Sequence, residues 1–366
     1  MNSDFKKIII ATGGTGGHVF PAYSLAKHFF EDKINVEIIS DKRGLKYLKD
    51  LNDIKIIEIN SSTIFKKNII QQLFSIFIIF YSILRSLYFL LRNRPNLVFG
   101  MGGYSSFPVC IAATILRIPF IIYENNLFIG KANRFLLPYA KKVFVSYKEL
   151  EGISEKYKKK ISVIGNIIRK EIINFEIKPK NNESYEKLKI LILGGSQAAK
   201  IFAESLPEIF KECTKAKISL KIYQQCLPEQ NKFLKSFYES LNIDFEVFNF
   251  TNNILDYFSK VNLAITRSGS SMLAELINAC IPFISVPLPS SADNHQLKNA
   301  IYYEKNGYSY LIEEKDLNTK LFHLIKKINE DTSLLREIKN KQSQYSDKSV
   351  YENIDLQLEK LINEKN

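Results

Sequence analysis

Cysteine and histidine are scarce in this chain of 366 residues, and the few present are scattered. Cys110, Cys213, Cys226 and Cys280 lie far apart beside apolar neighbours, with no C-x-x-C pair. They read as buried thiols of a reducing compartment and exclude a disulfide scaffold or zinc framework. His18, His28, His295 and His323 form no group with Cys or carboxylates at metal-ligand spacing, so no metal site is expected. The start, Met1 to Lys7, lacks the apolar stretch of a signal peptide, and the chain is expected to stay in the cytoplasm. Acid is short in one half only. Residues 1–160 carry 24 Lys+Arg against 12 Asp+Glu, and residues 161–366 carry 27 against 26. Nearly all of the net +13 therefore sits in the first half.

Such a surplus points to a polyanionic partner: nucleic acid, an anionic membrane surface or a phosphorylated lipid. No nucleic-acid partner is expected, because no binding signature accompanies the charge and the basic residues are not interleaved with stacking aromatics. The segment Ile69 to Leu91 favours the membrane. It is long enough to span, but Gln71, Gln72, Ser75, Ser82, Arg85 and Ser86 interrupt it, and Arg85 near mid-bilayer would cost about 2.5–3.5 kcal/mol. Those positions recur at spacings of three, four and seven, which predicts one polar stripe on a helix with a broad apolar face, bracketed by Lys66, Lys67, Arg92 and Arg94. Interfacial contact is the leading reading; a core helix and a true span are the alternatives.

Short branched-residue runs alternate with amphipathic stretches. Strands are expected at 7–11, 36–40, 55–59, 97–100, 120–123, 142–145 and 162–164, then at 189–193, 219–223, 245–248, 263–266 and 283–286. This is the pattern of an α/β chain with two parallel, doubly wound sheets, and 46% hydrophobic content suffices for a core in each. A polar stretch at 178–185 interrupts the pattern, so the expected domains are 1–164, 165–345 and a C-terminal helical piece, 346–366.

The run Ile8-Ile9-Ile10-Ala11-Thr12-Gly13-Gly14-Thr15-Gly16-Gly17-His18 joins a strand to a helix through a turn almost without side chains. Such a turn lets backbone approach a ligand and points the helix's first N–H groups toward an anion. His18 is its only ionisable group. A dinucleotide-binding turn is one reading, with Glu37 and Asp41 near the offset of the ribose acid, but Gly14-Thr15-Gly16-Gly17-His18-Val19 lacks the third glycine. A structural turn is another, although an adjoining His rarely serves one.

The whole string also resembles the first glycine-rich signature of the MurG family, the UDP-GlcNAc transferases that convert lipid I to lipid II. Gly100-Met101-Gly102-Gly103-Tyr104-Ser105-Ser106-Phe107-Pro108 is similar to the family's second glycine-rich loop, and Tyr123-Glu124-Asn125-Asn126 stands where it usually has His-Glu-Gln-Asn. Gly130-Lys131-Ala132-Asn133-Arg134, Gly165 to Arg169, Gly194-Gly195-Ser196-Gln197, Arg267-Ser268-Gly269 with Glu275, and Asp293-Asn294-His295-Gln296 follow in the family's order. Tyr123, Asn125 and Ala198 depart from it.

The resemblance implies a GT-B fold, two Rossmann-like domains facing an interdomain cleft. It implies an inverting hexosyltransferase moving GlcNAc from UDP-GlcNAc to the C4 hydroxyl of MurNAc in undecaprenyl-diphosphoryl-MurNAc-pentapeptide, lipid I. His18 is the candidate catalytic base, since an imidazole of ordinary pKa, about 6.5, is available neutral; orienting the acceptor is its alternative role. Thr15, Gly16, Gly17, Arg169, Ser196, Glu275, Gln296 and Asn126 are expected on the donor, with Arg169 and Ser196 at the diphosphate, Glu275 at the ribose and Gln296 at the sugar. Gly14, Gly103, Tyr104, Glu124 and Asn133 are expected on the acceptor, and Asn126 is also a candidate there. Glu124 could orient His18, bind an acceptor hydroxyl or pair with Arg134, the last ranking first. Stabilisation of the departing UDP by Arg169 and loop amides requires no metal or other cofactor. The enzyme is expected as a peripheral protein on the cytoplasmic face of the bacterial plasma membrane. A GT-B transferase for another lipid acceptor and a noncatalytic nucleotide-sugar or lipid binder are the competing readings.

Overall fold

The first strand, Lys-Ile-Ile-Ile-Ala, shows no alternation of apolar and polar residues, because strands of a parallel sheet are covered on both faces. The computed structural model describes residues 6–48, 53–61, 68–175, 187–249, 251 and 253–363, without the side chains of 196–199. Along the chain come β1 (Lys7–Ala11), α1 (Gly16–Glu31), β2 (Asn35–Ser40), α2 (Lys42–Leu48), β3 (Lys55–Glu58), α3 (Ile69–Asn93), β4 (Leu97–Gly100), α4 (Ser106–Ile115), β5 (Phe120–Glu124), α5 (Lys131–Leu136), β6 (Lys142–Val145), β7 (Ile161–Val163) and α6 (Lys170–Ile173). They continue with β8 (Leu188–Leu193), α7 (Gly195–Lys215), β9 (Leu220–Gln225), α8 (Asn231–Ser240), β10 (Asp244–Phe248), α9 (Leu255–Phe258), β11 (Leu263–Thr266), α10 (Ser270–Asn278), β12 (Phe283–Ser285), α11 (His295–Lys305), β13 (Tyr310–Leu311), α12 (Leu317–Glu330), α13 (Ser333–Gln342) and α14 (Val350–Asn363).

Two units divide these elements: Met1–Lys170 with Asp347–Asn366, and Glu171–Ser346. The first holds a seven-stranded parallel sheet in the order β3-β2-β1-β4-β5-β6-β7, the second a six-stranded parallel sheet in the order β10-β9-β8-β11-β12-β13. In each, the order reverses beside the first strand, so the loops after β1 and β4, and after β8 and β11, flank the position where doubly wound sheets bind ligands. The crossing between units falls at 170/171 and not at 164/165, because residues 164–168 are hydrogen-bonded into the first unit. The helix α14 belongs to the first unit, where Asp355 meets His28 of α1 at 3.0 Å and Gln357 accepts from Ser162 at 3.0 Å. The polar stretch 178–185 lies outside the described residues.

The helix α3 is inverted. Its serines face inward: Ser75, Ser82 and Ser86 are buried, and their hydroxyls donate to the carbonyls of Gln71, Asn60 and Ser82. Small side chains let α4 approach, and the large ones face out. Leu73, Phe74, Phe77, Phe80, Leu84, Tyr88 and Leu91 are exposed, Phe77 to 64%. The core-helix alternative is thereby overturned, since the apolar side of α3 does not pack into the sheet's core. In length and composition α3 could cross a membrane. Lys66 and Lys67 lie outside the described residues; Arg92 and Arg94 are exposed.

Candidate active site

In the first unit, the loop after β1 is built by close approach. A Cβ on Gly13 would lie 2.0 Å from Ser105 Oγ and 2.8 Å from Asp41 Oδ1, and Gly14 has φ +83°. Ser105, from the loop after β4, donates to Thr12 O at 2.7 Å, and the Thr12 hydroxyl donates to His18 O at 2.9 Å. Gly102 and Gly103 are both left-handed, at φ +86° and +77°; a Cβ on Gly102 would sit 2.8 Å from His18 Nδ1, and one on Gly103 2.7 Å from Gly13 O. The two loops thus pack together with the half-buried His18 ring against them, and Tyr104 is half-buried beside Gly103. Thr15 is exposed just before α1, in extended conformation, and makes no side-chain cap. Next to it, a Cβ on Gly16 would lie 2.7 Å from the Phe20 ring, and one on Gly17 3.7 Å from Thr15 Oγ1.

Asp41 carries a role the sequence reading missed. Neither it nor Glu37 is available for a ribose: Glu37 pairs with Lys7 and Lys55, each at 3.2 Å. Buried Asp41 accepts from Gly14 N at 2.9 Å, Gly44 N at 2.8 Å and Ser61 Oγ at 2.6 Å, with Arg43 at 3.3 Å. Burial by itself would raise its pKa, but the Ser61 hydroxyl, the two amides and Arg43 outweigh it and hold the carboxyl below its usual range. The Gly14 amide is therefore committed to Asp41 and not to an acceptor anion.

Pro21 sits inside α1 and has no N–H to give to Gly17 O, four residues back. Asn125 Nδ2 donates to that carbonyl at 2.9 Å, so this departure from the family pattern ties the 123–126 segment to the start of α1. Glu124 is 2% exposed. Its Oε1 accepts from Asn126 N and Nδ2, at 3.1 and 3.0 Å, and its Oε2 from Gly130 N and Asn133 Nδ2, both at 2.9 Å. The expected pair with Arg134 is not formed among the described residues; Arg134 lies over the Phe128 ring at 5.1 Å. Both Glu124 and Asn133, expected on the acceptor, are buried and bonded to each other. They shape the turn that presents half-buried Asn126. Half-buried Arg169 places its guanidinium carbon 5.9 Å from the Phe20 ring.

In the second unit, Gly194 and Gly195 follow β8 and open α7, Gly195 at φ +63°; the side chain of Ser196 lies outside the described residues. Gly269 precedes α10, which carries Glu275 buried at 5% exposure. Arg267 does not reach out: it is buried, donates to Val286 O and Pro287 O, and pairs with Glu314. Gln296 Oε1 accepts from Ser268 N at 3.2 Å and Leu288 N at 3.0 Å, so it knits the loops after β11 and β12. Asp293 and Asn294, just before α11, are both left-handed, a strained delivery of His295 and Gln296. One His–carboxylate group, His28 with Asp32 and Asp355, occurs among the described residues, at the far end of α1 from His18. His323 is exposed, and Cys110, Cys213 and Cys226 are free and buried.

Two parallel doubly wound units, each with glycine-bearing loops at its reversal point, are the architecture of the GT-B class. Residues 8–145 match the glycosyltransferase family 28 N-terminal domain and residues 189–354 its C-terminal domain. A UDP-N-acetylglucosamine--N-acetylmuramyl-(pentapeptide) pyrophosphoryl-undecaprenol N-acetylglucosamine transferase of Pelagibacter ubique is 39% identical over 98% of this chain and 99% of its own length. The enzyme of the same name from Rickettsia bellii is 35% identical over 90% of this chain and 94% of its own. Among solved structures, Acinetobacter baumannii MurG superposes with a TM-score of 0.75 at 26% identity, over 96% of this chain and 98% of that one. A Staphylococcus aureus MnaA–UDP structure shares the fold, with a TM-score of 0.68 at 17% identity over 98% and 97%. The chain belongs to glycosyltransferase family 28, among the MurG enzymes.

Proposed function

We propose that this chain transfers GlcNAc from UDP-GlcNAc to the C4 hydroxyl of MurNAc in lipid I, with inversion, giving lipid II for peptidoglycan synthesis. The observation that carries the reading is end-to-end relatedness, 39% over 98% of the chain, to an enzyme named for this reaction. The arrangement of several residues supports it. His18, fixed between two glycine loops, takes the proton from the acceptor hydroxyl as the sugar's anomeric carbon is attacked. In the second unit, the Gly194–Gly195 turn and Glu275 hold the diphosphate and ribose of the donor, and Gln296 meets the sugar. Arg169 and loop amides meet charge growing on the departing UDP, so no metal ion is required.

Lipid I is embedded in a membrane, and the exposed apolar face of α3 with Arg92 and Arg94 suits a peripheral seat on an anionic cytoplasmic leaflet. Nucleic acid is no part of this reading. Radiolabelled GlcNAc transfer from UDP-GlcNAc to a short-chain lipid I analogue tests the whole proposal. Labelled lipid II analogue formed even in the presence of a chelator is expected. Hydrolysis without transfer, or transfer only to another lipid, overturns it.

A further inference from the structure

Tyr123 stands where the family usually has His, and its surroundings give the substitution a purpose. It lies at the end of β5, 2% exposed. Its phenol oxygen accepts from the backbone N–H of Ile167 at 2.9 Å and lies 3.0 Å from Ser146 Oγ. Burial pushes the phenol well above its ordinary pKa, so it stays protonated with one hydrogen to give to Ser146.

Ile167 belongs to residues 164–168, the last passage of the first unit before the chain leaves it. Beyond Ile164, whose N–H donates to Val145 O, this passage lies past the end of β7. Side chains hold it instead. Asp347 accepts from Asn166 N at 2.8 Å and Nδ2 at 3.2 Å, Tyr351 Oη donates to Ile168 O at 2.7 Å, and Asn353 Nδ2 donates to Ile164 O at 3.1 Å. A Cβ on Gly165 would fall 2.7 Å from Asp347 Oδ1, so the passage cannot shift toward its anchor. Of these anchors, Asp347, Tyr351 and Asn353 lie where the chain re-enters the unit, and Tyr123 lies in the sheet. Arg169 follows directly, over Phe20, two residues along α1 from His18.

We propose that Tyr123 is a positioning residue for the donor: its phenol ties the 164–168 passage to β5 and so fixes Arg169 relative to His18. This rests on the reading that Arg169 meets the donor diphosphate. The Tyr123→Phe change keeps the ring and removes the oxygen, leaving the Ile167 amide buried without its acceptor. The KM for UDP-GlcNAc should rise about fivefold to thirtyfold, the equivalent of one such lost bond, while the KM for the lipid I analogue holds. A merely destabilising change would lower the active fraction and leave both KM values alone. Amide exchange at Ile167 should quicken.

The double variant Tyr123→Phe/Arg169→Ala should be no worse for the donor than Arg169→Ala alone. If Arg169→Ala leaves donor affinity unchanged, the reading of Arg169 fails. If Arg169→Ala weakens the donor but Tyr123→Phe does not, or the two effects simply multiply, Tyr123 does not act through Arg169 and the present proposal falls. Should Tyr123→Phe not fold, Ser146→Ala, which loosens the phenol without removing it, must raise the donor KM in the same direction; an unchanged value overturns the proposal.

Discussion

The two units repeat one device and use it differently. Both place glycines after the first strand and after the strand beyond the reversal point. In the first unit three of these glycines are crowded from within: Gly13 against Ser105 and Asp41, Gly102 against His18, Gly103 against Gly13 O. In the second, a Cβ on Gly195 or Gly269 would meet nothing within 4 Å among the described residues. A crowded glycine lets protein pack on protein, and here it locks a histidine. An open one leaves backbone for something not of the chain. Charge divides the same way, with a surplus of basic residues in 1–160 and near balance in 161–366. One unit therefore suits chemistry at an anionic surface and the other suits holding a nucleotide.

The sharpest break of that comparison is to remove one working group from each side. His18→Ala should lose about 10²–10⁴-fold in kcat while UDP-GlcNAc binding stays, and the lower-pH limb of the kcat profile should vanish with the imidazole. Glu275→Ala should do the reverse, weakening UDP by about 1–3 kcal/mol in calorimetry through loss of a charged acceptor. A His18→Ala enzyme with near-normal kcat would reduce His18 to a packing group. Equal affinity for UDP and ADP would remove the donor site from the second unit.

The glycines give a test of the packing itself. Gly13→Ala should cost about 1–3 kcal/mol or more of stability, because Ser105 and Asp41 must both move. Gly269 has an ordinary φ of −69°, so Gly269→Ala should melt like the parent and yet bind UDP less well. Thermal unfolding and calorimetry on the pair check this; equal melting losses would show that the two loops are alike.

What could be read from the residues alone follows the range of the forces. The Ile-rich strands, both glycine turns and the parallel class are written in local pattern, and nearly every strand lies where expected. The two-residue strand Tyr310–Leu311 is too short to leave a pattern. The polar positions of α3 were legible, but not that the serines alone turn inward while Gln71 and Arg85 stay exposed, because the serines are satisfied by carbonyls on their own helix and at Asn60. Glu124 and Arg134, ten residues apart in neighbouring motifs, suggested an ion pair, whereas four amide donors from three residues surround the carboxylate. Asp41 was seen only as a ribose acid, since nothing local announces that Gly14, Gly44 and Ser61 converge on it.

The charge difference between the units predicts a smaller, salt-dependent effect. Vesicle binding should rise with the fraction of anionic lipid and fall with ionic strength, and Phe77→Ser with Phe80→Ser should weaken it. Both residues are more than half exposed, so folding should not suffer. Binding that ignores salt, or release by detergent alone, would turn the peripheral seat of α3 into an inserted one.

The last effect lies in Asp41, where crowding and charge meet. Its carboxyl is held below its usual range in the folded chain, so folding favours the ionised form. That contribution is complete above the ordinary carboxylate value of about 3.9 and is lost as pH falls through the lower folded value. Asp41→Asn keeps the shape but replaces one accepting oxygen with a donor, leaving one of the Gly14 or Gly44 amides, or the Ser61 hydroxyl, without its partner. A loss of about 1–3 kcal/mol is expected at neutral pH, with the gap between parent and variant closing in acid. Denaturant titrations at neutral pH and near pH 3 measure the gap. A gap that stays constant would mean that Asp41 supports the glycine loop by shape alone, and that the lock on His18 owes nothing to charge.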